Sequence, residues 1–220
     1  MIYALDTLVV DIETTYSTSA VLRKRFADKI THPGNMSKAD TIAKWEVETK
    51  PLAINEAMDR TALDGGYGRI VAIGYKLRDE PSVVISGAEE LSLLTDFAAI
   101  PAHHDSLPIV VGHSCIGFDI PFLWKRAIIH GVRLPSWLPF NPKPWSERVF
   151  DTMHAWCGGQ AYVSLDELAD ILGVPRAETI PGGEVPRAFQ EGRIDEIVAH
   201  CHDDIETTYA IYNAMKAAGL

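Results

Sequence analysis

The alternation of apolar and polar positions divides the chain into recognisable pieces. Residues 7–13, "TLVVDIE", form a β-branched apolar run with no polar face at its start, the signature of a strand buried on both sides. From about 16 to 68 this order gives way to basic clusters and turn signals such as "THPGN". Two helix candidates lie there, at about 38–48 and, opened by Pro51, at about 52–61. Regular patterning resumes with "RIVAIGYKL" and "SVVISG", two strands joined by the turn "RDEP". An amphipathic helix ("AEELSLLTDFAAI"), a core strand ("PIVVGH") and a helix closed by glycine ("DIPFLWKRAIIHG") follow. After the proline-rich "LPSWLPFNPKPW" come a short strand "RVFDTM", a helix "SLDELADILGV" and a long final helix over about 194–218. Three strands and then alternating helices and strands predict an α/β sandwich on a mixed sheet.

Composition narrows the class. With 220 residues, 47% hydrophobic and 23% charged, the chain is expected to build one substantial core, a single domain over 1–220 with a helical, basic insertion at about 16–68. Its apolar runs are too short for a bilayer, and the N-terminus carries Asp6 without a basic stretch, unlike a signal peptide. Cys115, Cys157 and Cys201 are scattered, as in a reducing compartment, so a cytoplasmic location is expected. The net charge of −10 argues against a sequence-independent coat for long nucleic acid, which needs a basic face. It leaves room for an enzyme that grips a few terminal nucleotides through metal ions.

The hexapeptide DIETTY occurs twice, at 11–16 and at 204–209. In the first copy the chain is extended, so Asp11 and Glu13 point to one face at the end of an apolar strand. Two carboxylates so close repel unless a cation or a shared proton compensates. In the second copy the pattern is helical. With Cys201 as the zero of a wheel, Ile194, Ile197, Val198, Ile205, Thr208, Tyr212 and Met215 fall within about 60° and define a buried stripe. Asp204 at about −60° and His200 at about −100° share one margin, whereas Asp203 near 200° and Glu206 near 140° face away. Only the Asp of the second copy can therefore reach a site beside the core. The repeat is a coincidence of sequence that can still supply two parts of one site.

A third acid, Asp119, stands at a strand–loop–helix junction in "HSCIGFDIPFL". Taken alone it is a favoured helix N-cap followed by a first-turn proline. His200, Cys201 and His202 lack zinc-knuckle spacing. His103 and His104 fall in a loop, and there is no phosphate-binding glycine loop.

Together these segments resemble the DEDD superfamily of 3′–5′ exonucleases, the proofreading group with a ribonuclease H-like fold. D-x-E is matched by Asp11 and Glu13, the Phe-Asp motif by Phe118 and Asp119, and the last Asp of the final helix by Asp204. The likeness runs over about 6–15 and 69–215 and leaves 16–68 unexplained. It implies a three-layer α/β sandwich with a mixed five-stranded sheet and a helical insertion after the first strand. It also implies two Mg²⁺ or Mn²⁺ ions about 3.5–4 Å apart, which activate a water and stabilise the leaving 3′-oxygen. In that scheme Asp11 bridges both ions, Glu13 and Asp204 support the water-side ion, and Asp119 acts largely through the water shell of the second. The acids then suit a polyanionic substrate because the ions reverse the local charge.

One departure stands out. The family carries Tyr four residues before the last Asp or His five before it. Here His200 sits four before, and Ala199 occupies the other position. An imidazole there suits the orientation or deprotonation of the attacking water. Tyr162 is a weaker, outside candidate. Thr14, Thr15, His113 and Phe118 adjoin the motifs and are expected to line the terminal nucleotide, with Arg23, Lys24, Arg25, Lys38, Lys44 and Lys50 of the insertion as phosphate contacts. The expected substrate is a single-stranded 3′ end, DNA ahead of RNA, hydrolysed to nucleoside monophosphates, with a polymerase or replication partner acting in trans and no membrane. An RNA or oligoribonucleotide exonuclease is the alternative, since no residue visibly reads a 2′-hydroxyl. A weakly catalytic module that binds nucleic-acid ends or a polymerase is the other.

Overall fold

A computed structural model describes residues 7–100, 107–159 and 161–220. His103 and His104 lie outside the described residues, as does Asp6. The first strand, β1 (Thr7–Thr15), leads into helices α1 (Ala20–Lys29), α2 (Ala39–Glu48) and α3 (Lys50–Asp59) and a 3-10 turn at Arg60–Leu63. Strands β2 (Arg69–Leu77) and β3 (Val83–Ser86), helix α4 (Glu90–Ala98), strand β4 (Ile109–Gly112) and helix α5 (Asp119–His130) follow. Next come β5 (Val149–Asp151), α6 (Thr152–Cys157), α7 (Leu165–Leu172), a 3-10 turn at Gly182–Glu184, α8 (Val185–Gln190) and the long α9 (Ile194–Ala217).

Every strand and helix that the patterning predicts is present, the first helix candidates shifted by a residue or two. Helices α1, α6 and α8 are additional. Local chemistry accounts for two of them: Ser19 caps α1 by accepting from Leu22 N, and Asp151 caps α6 by accepting from His154 N. Helix α5 ends at Gly131 in the left-handed conformation, φ 69°, as its sequence predicts.

The five strands are ordered β3-β2-β1-β4-β5. β1 runs antiparallel to β2 and parallel to β4, and so occupies the middle of the sheet. Its side chains alternate as a strand buried on both faces must. Leu8, Val10 and Ile12 enter the larger core with Leu94, Phe97, Ile120 and Leu123 of α4 and α5. Val9 packs on the opposite face with Val111, Ile205 and Tyr212. Each such aliphatic side chain contributes about 1.5–3 kcal/mol through burial. The result is the expected sandwich, with α4 and α5 on one face and α9 on the other.

Helix α9 comes unusually near the sheet at Gly74, which pairs with Asp11 across β1 and β2. A Cβ at Gly74 would lie 2.6 Å from Cys201 Sγ and 2.9 Å from Ile205 Cγ1. The bare α-carbon therefore lets α9 settle against the strand that carries Asp11. No helix among the described residues is long and apolar enough to cross a membrane.

Candidate active site

Three segments converge at one end of β1. Because β1 is extended, Asp11 and Glu13 share the face opposite Ile12 and look toward α9. Helix α9 answers with His200, Cys201 and Asp204. Its Cys201 thiol donates to Asp11 Oδ2 at 3.7 Å, and its His200 Nε2 lies 3.6 Å from Glu13 Oε1 and 3.7 Å from Asp204 Oδ2.

Asp119 comes from the start of α5. It does not cap its own helix, contrary to the simplest reading of the sequence. Phe118 occupies the cap position, and Asp119 Oδ1 instead accepts the backbone N–H of Ile12 at 3.1 Å. The acid is thereby fastened to the strand between Asp11 and Glu13. Asp151, which the sequence reading passed over, organises the approach: its two carboxylate oxygens accept from Ser114 N and Ile116 N, each at 3.0 Å. Its signal was present as an Asp before a helical turn, "DTMH".

The electrostatics are those of four acids crowded without enough cation. Burial holds Asp11 well above the ordinary carboxylate range, helped by the charges of Asp119, Glu13 and Asp204, with the Cys201 thiol a small offset. Burial does the same to Glu13, reinforced by Asp204 and Asp119. Asp119 is pushed up to about 7, chiefly by burial. Asp204 is raised less far because His200 and Arg176 oppose the effect of burial. Glu13 is only 6% exposed, and its Oε1 has no hydrogen-bond partner among the described residues. An orphaned carboxylate oxygen among repelling acids is the setting that a divalent cation relieves, and the donor set fits one. The ligand atoms of Asp11, Glu13 and Cys201, and those of Glu13, His200 and Asp204, lie within 4.8 Å of one another.

A cleft of about 670 Å³ opens over these residues, within the size range of ligand sites. Asp11, Glu13, His200 and Asp204 line its floor, with Thr14, Tyr16 and Phe118 beside them. Arg60, Leu63, Gly182, Pro186 and Arg187 also line it.

Several expected contacts fall elsewhere. Thr15 is 1% exposed and absent from the lining, whereas Thr14 lines it and donates to Ala62 O at 2.7 Å. The pairing of β1 with β2 slips between Glu13 and Thr14, which breaks the strict alternation there. His113 also misses the cleft. Its Nδ1 meets Thr152 Oγ1 at 2.9 Å and its Nε2 meets Val163 O at 3.0 Å, so both nitrogens are engaged in holding β4 to the following segments. Tyr162 is 75% exposed and stands outside the lining. Of the basic residues proposed in the insertion, none lines the cleft: Arg23 binds Asn55, and Lys44 and Lys50 pair with Glu48 and Glu46. Arg60 is the cation from that segment that does.

Asp203 corrects the helical wheel. It does not face water, because Arg176 in the loop after α7 binds Asp203, Asp204 and Asp166 together. The same loop reaches His200 through Thr179, whose hydroxyl lies 3.2 Å from Nδ1. A wheel drawn on one helix contains no trace of a loop that covers it.

Comparison with known proteins identifies the family. Residues 67–219 match the family described as predicted 3′–5′ exonucleases related to the exonuclease domain of PolB. The chain belongs to this family. It is accordingly an enzyme of the 3′–5′ exonuclease kind, with the ribonuclease H-like α/β fold that the sequence motifs imply. The family segment includes Asp119, His200 and Asp204, while β1 with Asp11 and Glu13 precedes it. Among solved structures, the family B DNA polymerase of the hyperthermophilic archaeon Pyrobaculum calidifontis matches 96% of the chain with a TM-score of 0.57 and 17% identity. The chain spans 24% of that polymerase's length. No curated protein sequence matches it.

Proposed function

We propose that this PolB-related exonuclease removes nucleoside monophosphates from the 3′ end of single-stranded DNA, with two divalent ions, Mg²⁺ or Mn²⁺, in the cleft. The convergence of Asp11, Glu13, Asp119 and Asp204 from β1, α5 and α9 around the orphaned Glu13 Oε1 carries this reading. These four carboxylates would hold the ions. When bound, such ions supply charge stabilisation at the phosphate and lower the pKa of the attacking water.

The remaining work belongs to the chain itself. The Thr179 hydroxyl lies 3.2 Å from Nδ1 of His200 and 3.5 Å from Ile180 O, so its oxygen can accept an Nδ1–H. In that tautomer the Nε2 lone pair is free to take a proton from the attacking water. Asp119, tied to Ile12 N, fixes the distance between α5 and β1. Phe118, packed on Phe122 with ring centroids 5.5 Å apart, offers an apolar face on which a terminal base can stack. Arg60 and Arg187 at the rim suit the phosphates of the incoming strand. The likeness to a DNA polymerase supports DNA as the substrate and a link to replication.

The test is degradation of 5′-labelled single-stranded DNA and RNA oligomers with Mg²⁺, Mn²⁺ or EDTA, beside Asp11→Ala. The expected result is a metal-dependent ladder shortening from the 3′ end, faster on DNA and absent in the variant. A ladder on RNA alone would replace the substrate. Binding without cleavage would replace catalysis by end recognition.

A further inference from the structure

The surroundings of His200 fit a second task for its imidazole. Nε2 lies 3.6 Å from Glu13 Oε1 and 3.7 Å from Asp204 Oδ2, both too long for hydrogen bonds. They are close to the edges of a coordination tetrahedron. With metal–nitrogen and metal–oxygen bonds of about 2.0–2.2 Å, neighbouring donors stand about 3.4 Å apart. Three further features single out this triad from an ordinary acidic cluster. Glu13, 6% exposed, points an unpartnered oxygen into it. Thr179 fixes the other ring nitrogen, as outer-shell groups do for metal-binding histidines. Asp204 is oriented too, since Arg176 holds Oδ1 and leaves Oδ2 toward His200.

We propose that Glu13, His200 and Asp204 form a site for a borderline-soft ion, Zn²⁺, with Nε2 of His200 as a ligand, and that occupancy of this site inhibits hydrolysis. Mg²⁺ takes oxygen donors and near-octahedral geometry, whereas a tetrahedral site with an imidazole favours Zn²⁺. The inhibition rests on the proton-accepting role given to His200 above. Nε2 has one lone pair, so an imidazole bound to Zn²⁺ through it cannot also accept a proton from water. His200 thus adds a nitrogen donor, and with it a route to zinc inhibition, to a centre whose other ligands are oxygens.

The experiment is calorimetric titration of the EDTA-stripped, dialysed full chain with ZnCl₂ and with MgCl₂, together with visible absorption after addition of Co²⁺. Wild type is compared with His200→Gln and Thr179→Val, each checked for folding by circular dichroism. Expected are Zn²⁺ binding weakened about 10-fold or more in His200→Gln and about 10–100-fold in Thr179→Val, with Mg²⁺ binding little changed. Co²⁺ should give an intense tetrahedral-type band in wild type that His200→Gln lacks. Equal Zn²⁺ affinity in wild type and His200→Gln, or a weak octahedral Co²⁺ spectrum in both, would overturn the site and leave His200 as an internal countercharge. Zn²⁺ added to the Mg²⁺ reaction should stop the ladder, and turnover undiminished by saturating Zn²⁺ would overturn the inhibition. A wild type that binds Zn²⁺ through His200 yet never degrades DNA would sink the proposed substrate while the metal site stood.

Discussion

The same six residues, Asp-Ile-Glu-Thr-Thr-Tyr, close a central strand and begin the segment after it at 11–16, and form part of the last long helix at 204–209. The two aspartates meet in one cleft. The two glutamates part company completely. Glu13 is buried, has one oxygen without a hydrogen-bond partner among the described residues, and is held well above the usual carboxylate range by burial and by its acidic neighbours. Glu206 is on the outside of α9. Burial alone would raise it, but bonds from Ser82 and Lys76 hold it below that range. The tyrosines diverge as well: Tyr16 lines the cleft, and Tyr209 donates to Asp79. Period two turns the first Glu inward beside its Asp, and 100° per residue turns the second away. A motif is thus a set of side chains together with the backbone that aims them.

The sharpest break of this comparison exchanges each glutamate for its neutral isostere. Glu13→Gln should lower turnover about 10³-fold, the order set by losing several kcal/mol of charge stabilisation, and Glu206→Gln should leave turnover unchanged. Steady-state rates on one labelled oligomer decide it, and equal losses in both would end the distinction. Glu13→Gln should also raise the melting temperature of the metal-free protein, because it removes a buried charge that its neighbours repel. A fall would show that Glu13 is held by a partner within the fold.

An intermediate effect comes from Gly74→Ala, which pushes the two copies apart without altering a residue of either. The added methyl meets Cys201 and Ile205 at less than van der Waals distance, so overpacking should cost about 1–3 kcal/mol. That loss corresponds to a drop of about 2–4 °C in Tm for each kcal/mol. Turnover should fall with it, since Asp204 and His200 retreat from Asp11. A variant that melts lower but works at full rate would show that the approach of α9 does not set the geometry of the cleft.

The smallest effect is the stability supplied by Glu206. Its side chain is 47% exposed, so its pair with Lys76 contributes no more than about 1 kcal/mol. Because its folded pKa is depressed, that contribution is complete above the ordinary carboxylate value of about 4.3 and disappears as pH falls through the lower folded value. Melting curves of wild type and Glu206→Gln should therefore differ slightly at neutral pH and converge in acid. Divergence in acid would reverse the assignment.

Much of the fold was legible because periodicity reports burial within one element. The strand at β1, the buried stripe of α9 and the margin carrying His200 and Asp204 all follow from it. What escaped depends on contacts between elements. Asp203 faces outward on the wheel, but the loop bearing Arg176 lies across that side. Thr15 was expected beside the substrate, but the slip in pairing at Glu13 belongs to β1 and β2 jointly. His113 has the chemistry of a substrate contact, yet Thr152 and Val163 take both its nitrogens. The basic cluster at Arg23 is a strong sequence signal that the fold turns away, while Arg60, isolated in sequence, reaches the cleft.

The place of β1 also shapes how the molecule comes into being. The first strand lies between β2 and β4, and the contact of Cys201 with Asp11 joins positions 190 apart. Pairings of such high sequence separation close large loops and are slow to form. The carboxylates on β1 face nothing until α9 docks, so a partly folded chain has the acids but no cleft. Recovery of activity after denaturation should therefore lag the return of helical circular dichroism, and simultaneous recovery would show that α9 docks early.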